Sequence, residues 1–380
     1  MQYHYLDNAA TTQVSLAAAD AAMHAMRVCY ANPASLHEAG IDAERLLTDG
    51  KRAVAAALGC QPDCLIMTSG GTESDNTAIF GAASRVKKGG HIITTAVEHP
   101  AVTEAVRALQ AQGWDATFLT PGTDGCITAD QVRDALQENT ALVSIMHVNN
   151  ETGAIMPIAE IASLLKAYNA RRQTPVLFHC DGVQAFGHIP VNVIKLGVDF
   201  YAVSGHKLHA PKGIGALYIR RGVRIPPMLR GGGQQNGMRS GTEAVPLVSA
   251  FGVAAKEAVD AMDETIARMN ALRDRLIAGL SEVSGAQVNF TGGAPHVVSV
   301  SVPGLRAEVV MRVLEGEGVC VSTGSACAKG AKSPILAACG LPGPVVDGAL
   351  RVSFSRFTQA EDVDAFLRAL SAAVSRLARR

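Results

Sequence analysis

The sequence predicts an α/β protein, with a large domain built on a mixed, mostly parallel sheet and a smaller α+β domain after it. Strand-like and helix-like runs alternate through the first 220 residues, a Gly/Pro-rich segment at Ile225–Gly241 interrupts them, and a second set of strands and helices follows. Such alternation is typical of a parallel sheet with helices on both faces. A length of 380 residues fits two domains.

In the first part, each predicted strand is a short apolar run and each predicted helix has apolar residues at helical spacing. The predicted strands are Cys64–Thr68, His91–Ala96, Thr117–Leu119, Leu142–His147, Val176–Phe178, Val198–Val203 and Gly215–Ile219. The predicted helices are Thr72–Lys88, Ala101–Gln112 and Ile158–Tyr168. Ligands of such sheets bind beyond the carboxyl ends of the strands, so the residues that follow each strand are the candidates for a site.

The second part begins with one long predicted helix, from Pro246 to Glu282. Two strands and two helices follow it, at Val297–Val302, Leu350–Phe354, Ala307–Glu317 and Gln359–Arg379. We predict a large domain at residues 15–255 and a small domain formed by residues 1–14 together with 256–380.

The composition excludes several functional classes. Lys plus Arg and Asp plus Glu are 34 each, and this zero formal charge argues against a general nucleic-acid-binding surface. No uncharged apolar run is long enough to span a bilayer, and the first residues lack a secretory signal. We therefore expect a cytoplasmic protein with no membrane and no direct nucleic-acid partner.

The eight cysteines are far fewer than a disulfide scaffold of this length contains. None of them forms a Cys-x-x-Cys pair, so the spacing of a zinc site is absent and no metal site is predicted. We expect free thiols in a reducing compartment, most of them packing residues.

Lys207 follows the predicted strand Val198–Val203, in the run Ser204-Gly205-His206-Lys207. A lysine at the carboxyl end of a strand can form a Schiff base with an aldehyde, while Ser204 and His206 bind an anion. The alternative is an ordinary surface lysine on a loop.

A glycine pair, Gly70-Gly71, joins a predicted strand to a predicted helix, with Ser69 and Thr72 on either side. Free N–H groups and the helix dipole favour a phosphate dianion at such a position. The pattern differs from that of the nucleotide-binding P-loop. Ser69 or Thr72 can instead be a simple helix cap.

Asp181 and Gln184 follow the predicted strand Val176–Phe178. A carboxylate there can pair with a protonated pyridine nitrogen and make the ring an electron sink, and Gln184 can donate to a ring oxygen. The alternative for Asp181 is a helix cap. A phosphate cradle, a Schiff-base lysine and a pyridinium carboxylate together describe a site for pyridoxal 5′-phosphate (PLP).

Nearly end to end, the chain resembles the NifS/IscS-type cysteine desulfurases. The motifs that carry the resemblance are Tyr5–Thr12, Asn32–Ser35, Glu98-His99, His147–Gly153, Gly237–Thr242 and Gly324–Cys327. The resemblance implies a homodimer of the PLP-dependent transferase fold type I, class V aminotransferase-like, with a seven-stranded sheet in the large domain and a smaller C-terminal α+β domain.

The same resemblance implies roles for individual residues. Lys207 would hold PLP, His99 would stack on its ring and serve in proton transfer, and Asp181 would pair with the pyridine nitrogen. The other cofactor-binding residues would be Gly71, Thr72, Asn150, Gln184, Ser204, His206 and, towards the neighbouring subunit, Thr242. The substrate-binding residues would be Arg351, which clamps the substrate carboxylate, with Asn32 and Asn150. The alternative for Arg351 is a structural ion pair.

Cys327 lies among small residues and glycines, which predicts an exposed loop rather than a core position. Lys329 and Lys332 favour the thiolate, which is the nucleophilic form. The resemblance implies that this thiolate attacks the sulfur of L-cysteine, retains it as a persulfide and releases L-alanine. An acceptor protein would then take the sulfur for iron–sulfur cluster assembly or for tRNA or cofactor thiolation.

Other functions fit the same residues. They are selenocysteine lyase, another class V aminotransferase or lyase, and a non-catalytic sulfur-relay scaffold. Intact Lys207, Asp181 and His99 argue against the scaffold. The chain also departs from the family at Gly71, where many members have Ala, and at Gln235-Asn236, where Glu-Arg is more usual.

Overall fold

The computed structural model describes residues 3–86, 89–323 and 333–377. The strands within these residues are β1 His4–Tyr5, β2 Leu65–Thr68, β3 His91–Thr95, β4 Asp115–Leu119, β5 Thr140–Ser144, β6 Leu177–Asp181, β7 Phe200–Ser204, β8 Gly215–Ile219, β9 Gln287–Val288, β10 Val297–Ser301, β11 Val319–Cys320 and β12 Ala349–Ser353. The α-helices are α1 Leu16–Arg27, α2 Glu38–Leu58, α3 Gly71–Ala83, α4 Pro100–Gln110, α5 Ala129–Ala135, α6 Ile158–Asn169, α7 Val193–Leu196, α8 Val245–Asp260, α9 Met262–Leu280, α10 Ala307–Gly316, α11 Pro334–Ala338, α12 Gly343–Asp347 and α13 Ala360–Leu377. None of the described helices combines the length and the apolar composition that a membrane span requires.

The main sheet of the described residues has seven strands in the order β2-β8-β7-β6-β5-β3-β4. Strand β8 is antiparallel to both of its neighbours, and the remaining pairs are parallel. The prediction of a mixed, mostly parallel sheet is therefore confirmed.

The central strands are buried on both faces. Successive residues of β7, Phe200 and Tyr201, belong to two separate hydrophobic cores, because neighbouring side chains of a strand point to opposite faces. Helices α3 and α4 contribute to one core, and α1, α2, α6 and α8 contribute to the other. Two covered faces explain why these strands are continuous apolar runs without alternation.

The last third of the chain forms a second sheet, in which β10 pairs antiparallel with both β9 and β12. Its core includes Leu276 of α9, Leu314 of α10 and Phe366 of α13, together with Leu6 from the start of the chain. Strand β1 pairs parallel with β11, which ties the first residues to this part. The domain boundaries at residues 14/15 and 255/256 stay a prediction.

The stretch predicted as helical from Pro246 to about Glu282 is helical, and it is divided into the two helices α8 and α9. The chain leaves helical geometry at Ala261, with φ −100° and ψ 12°, between α8 and α9. Neither Pro nor Gly stands at this break, so the local sequence carries no signal for it.

Helices α2 and α8 approach closely at a pair of glycines. A Cβ atom at Gly252 of α8 would lie 2.6 Å from Cα of Gly50 on α2. The two backbones therefore touch, and each glycine is required by the crossing rather than by a turn.

Candidate active site

Lys207 lies directly beyond the carboxyl end of β7. The chain passes from Ser204 into a short 3₁₀ turn, Gly205–Lys207. The Lys207 ammonium Nζ donates hydrogen bonds to the carbonyl oxygens of Ala9 at 2.6 Å and Ala10 at 2.9 Å. The amine is therefore held at the edge of the main sheet by residues from the start of the chain.

Asp181 is the last residue of β6, the neighbour of β7, and so lies at the same edge of the sheet as Lys207. Its Oδ1 accepts a hydrogen bond from Val183 N at 2.9 Å. Burial raises the pKa of the Asp181 carboxyl group, whereas the nearby His99 and Lys207 favour its ionised form. A buried carboxylate in this position can stabilise a cationic nitrogen.

His99 caps the amino end of α4. Its Nδ1 accepts a hydrogen bond from Ala101 N at 3.1 Å, so a neutral ring carries its proton on Nε2. Burial lowers the pKa of His99; the nearby Asp181 opposes this shift and Lys207 adds to it. His99 is therefore a helix cap whose remaining ring nitrogen is a hydrogen-bond donor.

The amino end of α3 faces Ser204. A Cβ atom built on Gly70 would lie 3.7 Å from Ser204 Oγ, so this hydroxyl lies beside the start of the helix. His206 follows two residues later, with Nδ1 3.1 Å from Thr11 Oγ1. Burial lowers the pKa of His206 to about 4, so its ring is neutral at pH 7. A helix start with hydroxyl and neutral ring groups nearby is suited to a phosphate dianion.

Arg351 lies on β12, and its guanidinium is buried between two groups. Nη2 donates to Asp7 Oδ1 at 2.8 Å, and Nη1 donates to the carbonyl oxygen of Asn150 at 3.0 Å. Arg351 Nε and Asn150 Oδ1 are both buried, without a hydrogen-bond partner among the described residues. Arg351 and Asn150 are in contact, and one has an unsatisfied buried donor while the other has an unsatisfied buried acceptor. Such a pair indicates a place for a polar ligand.

Residues 4–12, which we call the bridging segment, contact most of these groups. Besides Lys207, the carbonyl oxygen of Ala9 accepts a hydrogen bond from Gln184 Nε2 at 2.9 Å. Asp7 pairs with Arg351, and Thr11 meets His206. The segment thus connects the main-sheet side of the site with the arginine of the small sheet.

The chain matches the aminotransferase class-V family over residues 4–366. This protein belongs to the class-V aminotransferase family. A cysteine desulfurase IscS from Methanosarcina thermophila is 39% identical to it, over 98% of this chain and 92% of that protein. The resemblance to the cysteine desulfurases of this family is therefore confirmed.

Solved structures of class-V relatives share the fold. A structure described as a NifS-like protein superposes with a TM-score of 0.92 at 35% identity, covering 99% of this chain and all of that one. A second, described as SspA in complex with cysteine, has a TM-score of 0.82 at 30% identity and covers 93% of this chain and 99% of that one. These likenesses confirm the predicted fold class, including the fold type I architecture.

Most of the residues predicted for the class-V site lie at one edge of the main sheet or on the helices that start there. Arg351 lies on β12, and the bridging segment connects it to them. Asn32, Thr72 and Thr242 are exposed, and among the described residues none of these side chains has a hydrogen bond to another predicted site residue. Asn32 Oδ1 instead accepts from Ala34 N at 2.9 Å. Thr242 was expected to act in a neighbouring subunit, and its exposure leaves that expectation open.

Cys327, with Lys329 and Lys332, lies outside the described residues. Of the residues that flank this part of the chain, Ser322 contacts Arg351, and Ser333 contacts Glu151, which interacts electrostatically with Arg351. Arg351 N donates to Ser322 O at 2.7 Å, and Ser333 Oγ donates to Glu151 Oε2 at 2.5 Å.

Two groups of polar residues at the site were missed. The bridging segment was recognised as a family motif but given no site residue; its run of small residues after a strand was the available signal. The second group is a set of buried acids, Asp75 and Glu98, near Asp181. Burial chiefly raises the pKa of Asp75, and it raises that of Glu98 to about 8.

Proposed function

We propose that this class-V protein is a PLP-dependent cysteine desulfurase, which converts L-cysteine to L-alanine and holds the released sulfur as a persulfide on Cys327. The observation that carries the proposal is that the bridging segment contacts both Lys207, through Ala9, and Arg351, through Asp7, while Asp181 interacts electrostatically with Lys207. The relatives named cysteine desulfurase match almost the whole chain, which supports the same reaction here.

The residues present fit PLP. The aldehyde needs an amine, which Lys207 offers, and the pyridine nitrogen needs a buried carboxylate, which Asp181 offers. The phosphate needs a helix start with close backbone approach, which Gly70 and Gly71 allow at the amino end of α3. Asn150 adds a buried oxygen that has no partner among the described residues.

Arg351 would bind the carboxylate of the amino-acid substrate. Asp7 and the Asn150 carbonyl each hold one terminal nitrogen, and this leaves the Nε side of the guanidinium for a ligand. A fixed guanidinium orients a carboxylate better than a mobile one, because less side-chain entropy is lost on binding.

Bound PLP would supply an electron sink for the electron pair left when the substrate Cα loses its proton. Lys207 Nζ is the group that would take that proton, and the Ala9 and Ala10 carbonyls keep the amine at a defined position. His99 would present Nε2–H towards the same space as a proton donor.

The sulfur step would use Cys327. Its thiolate forms an S–S bond with the substrate sulfur, and the Cβ–S bond of the substrate breaks. The electron pair of that bond stays with the substrate Cβ, which takes up a proton. Lys207 then returns the proton to Cα, and the product leaves as L-alanine. The sulfur stays on the enzyme as Cys327–S–SH, and an acceptor protein or a reducing thiol removes it.

We include a homodimer in this proposal. Large apolar side chains between residues 16 and 36 are exposed in the single chain: Leu16, Met23, Met26, Val28, Tyr30 and Leu36. An apolar surface of this kind is typical of a protein interface. Thr242 is exposed and could then reach the phosphate site of the second subunit, as the family resemblance implies.

Product analysis with L-cysteine and a thiol reductant tests the proposal. We expect equal amounts of L-alanine and sulfide from the wild type, and loss of at least about 100-fold in rate for Cys327→Ser with the yellow colour of bound PLP retained. Cys320→Ser is the matched control, because partial burial raises the pKa of that thiol and disfavours its thiolate.

Unchanged turnover in Cys327→Ser would refute the persulfide step. A wild-type protein that stays colourless with added PLP would refute the proposal as a whole. Release of alanine from L-selenocysteine but not from L-cysteine would identify a selenocysteine lyase instead.

A further inference from the structure

Two histidines that no proposed step uses lie directly behind Gln184. The rings of His188 and His296 are stacked, with centroids 3.9 Å apart and planes inclined by 21°. His296 is fully buried and His188 nearly so. Nε2 of His296 lies 3.3 Å from Oε1 of Gln184.

The contacts of Gln184 fix which end of its amide faces which neighbour. A carbonyl oxygen can only accept a hydrogen bond, so the contact with Ala9 O at 2.9 Å must come from the NH₂ group of Gln184. The amide oxygen therefore faces His296, and Nε2 of His296 must carry the proton in that contact.

A neutral His296 ring satisfies this requirement. Burial lowers its pKa well below the usual value, and the nearby His188, Lys207 and Arg351 lower it further. A neutral imidazole has one N–H, and Gln184 Oε1 is its acceptor. The other nitrogen, Nδ1, has no partner among the described residues, which is tolerated better by an acceptor nitrogen than by a buried N–H.

We propose that His296 is a positioning residue: its Nε2–H holds the Gln184 amide oxygen, so that the amide NH₂ group faces the Ala9 carbonyl, which Lys207 Nζ also contacts. An N–H of this group could then donate to the ring oxygen of the cofactor. The inference rests on the proposed function, because it requires PLP on Lys207. His188 supports the His296 ring by stacking only.

The pH titration of the visible absorbance of the PLP-loaded protein tests this role. With PLP bound, its ring oxygen would share the proton on the Lys207 nitrogen, and an N–H from Gln184 would compete for that oxygen. Loss of this donor therefore makes the Lys207 nitrogen bind its proton more tightly. The pH midpoint of the absorbance change then rises. One hydrogen bond corresponds to a rise of about half a unit to one unit.

Three variants separate positioning from packing. His296→Phe keeps a stacked ring but loses the N–H, and we expect the raised midpoint together with a several-fold weaker dissociation constant for PLP. His188→Phe makes the same change of volume on the ring that does not contact Gln184, and its midpoint should equal that of the wild type. His296→Gln retains an N–H donor, so its midpoint should lie closer to that of the wild type than the midpoint of His296→Phe does.

A double variant gives a second measure. If His296 acts through Gln184, Gln184→Leu alone raises the midpoint and adding His296→Phe raises it no further. Equal midpoints for His296→Phe and His188→Phe, or additive shifts in the double variant, would overturn the inference. If His296→Phe does not fold, the smaller His296→Leu takes its place in both comparisons.

These outcomes are distinct from failure of the proposed function. The proposed function would be refuted by a wild-type protein that takes up no PLP. It would also be refuted if PLP-loaded Lys207→Ala had the same visible absorbance as the PLP-loaded wild type. Normal PLP binding with an unmoved midpoint in His296→Phe removes only the role of His296.

Discussion

Asp7 neutralises a buried arginine. The Arg351 side chain is only 4% exposed, and Asp7 is its ionic partner at 2.8 Å. We expect Asp7→Asn to lower the free energy of unfolding by about 1–3 kcal/mol, because the buried guanidinium then loses its ion-pair partner. Chemical denaturation with a two-state fit measures this difference.

Asp42→Asn is the control for this change. Asp42 pairs with Arg45 at 3.1 Å, but both side chains are largely exposed, so the loss should stay within about 0.5 kcal/mol. Equal losses of unfolding free energy in Asp7→Asn and Asp42→Asn would contradict this prediction. They would show that the buried ion pair of Asp7 with Arg351 stabilises the fold no more than an exposed pair does.

The buried Glu98 lowers the stability of the folded protein in a pH-dependent way. Burial raises its pKa to about 8, from a usual value near 4.5. Below both values the carboxyl group is protonated in the folded and unfolded states; between them, folding takes up a proton, so this group makes stability fall as the pH rises. Glu98→Gln removes this contribution and should gain stability relative to the wild type from about pH 5 to pH 8.

Denaturation curves at four or five pH values across that interval measure the gain. Glu104→Gln is the control, since Glu104 is exposed and its ionic partner among the described residues is Arg107 on its own helix. A constant difference between Glu98→Gln and the wild type at all pH values would contradict the raised pKa.

Chemistry-bearing residues that follow strands could be predicted from the sequence, and those that depend on distant partners could not. Lys207 and Asp181 each come just after an apolar run, so local pattern was enough to find them. The pairing of Asp7 with Arg351 joins residues 344 positions apart, and no local pattern encodes it. The contact of Gln184 with His296 is hidden for the same reason.

At the scale of elements, helices α1 and α2 were not predicted from the sequence, and their composition explains why. The buried face of α1 consists of Ala18, Ala22 and Ala25, so it lacks the large apolar residues that make helical periodicity visible. Helix α2 likewise buries Gly40 and Gly50 among its larger residues. Strands of the main sheet, which carry Leu, Ile, Val and Phe, were all found, with each end within three residues of its observed position.

The crossing of α2 and α8 makes a prediction at the same scale. Gly252→Ala places a Cβ atom 2.6 Å from Cα of Gly50, so the helices must move apart. We expect a loss of about 2 kcal/mol or more in unfolding free energy, despite the better helix propensity of Ala.

Gly316→Ala is the matched control, because Gly316 also lies in a helix, α10, and a Cβ atom there would have no atom within 4 Å among the described residues. This variant should be neutral or more stable by up to about 1 kcal/mol. A similar loss in both variants would point to a general intolerance of alanine rather than to close helix packing.

For the whole molecule, the proposed dimer has a direct test. Leu36 is 96% exposed in the single chain, in the apolar stretch from residue 16 to residue 36. We expect a solution mass of about twice 39.6 kDa for the wild type by light scattering, and a shift towards one chain for Leu36→Glu.

Val309→Glu adds the same charge at an exposed apolar residue of α10 and should leave the mass unchanged. A wild-type mass near 39.6 kDa at micromolar concentration would contradict the dimer. A dimer that stays intact in Leu36→Glu would place the interface elsewhere.

The bridging segment has a consequence for synthesis on the ribosome. Ala9 N donates to Ser353 Oγ, a partner translated 344 residues later, and Leu6 and Asp7 also find their partners on β12. At about 5–20 residues per second, the segment that holds Lys207 waits roughly 20–70 s for that strand. Nascent chains can complete the main sheet in this interval, but the site around Lys207 is completed only after β12 has been translated.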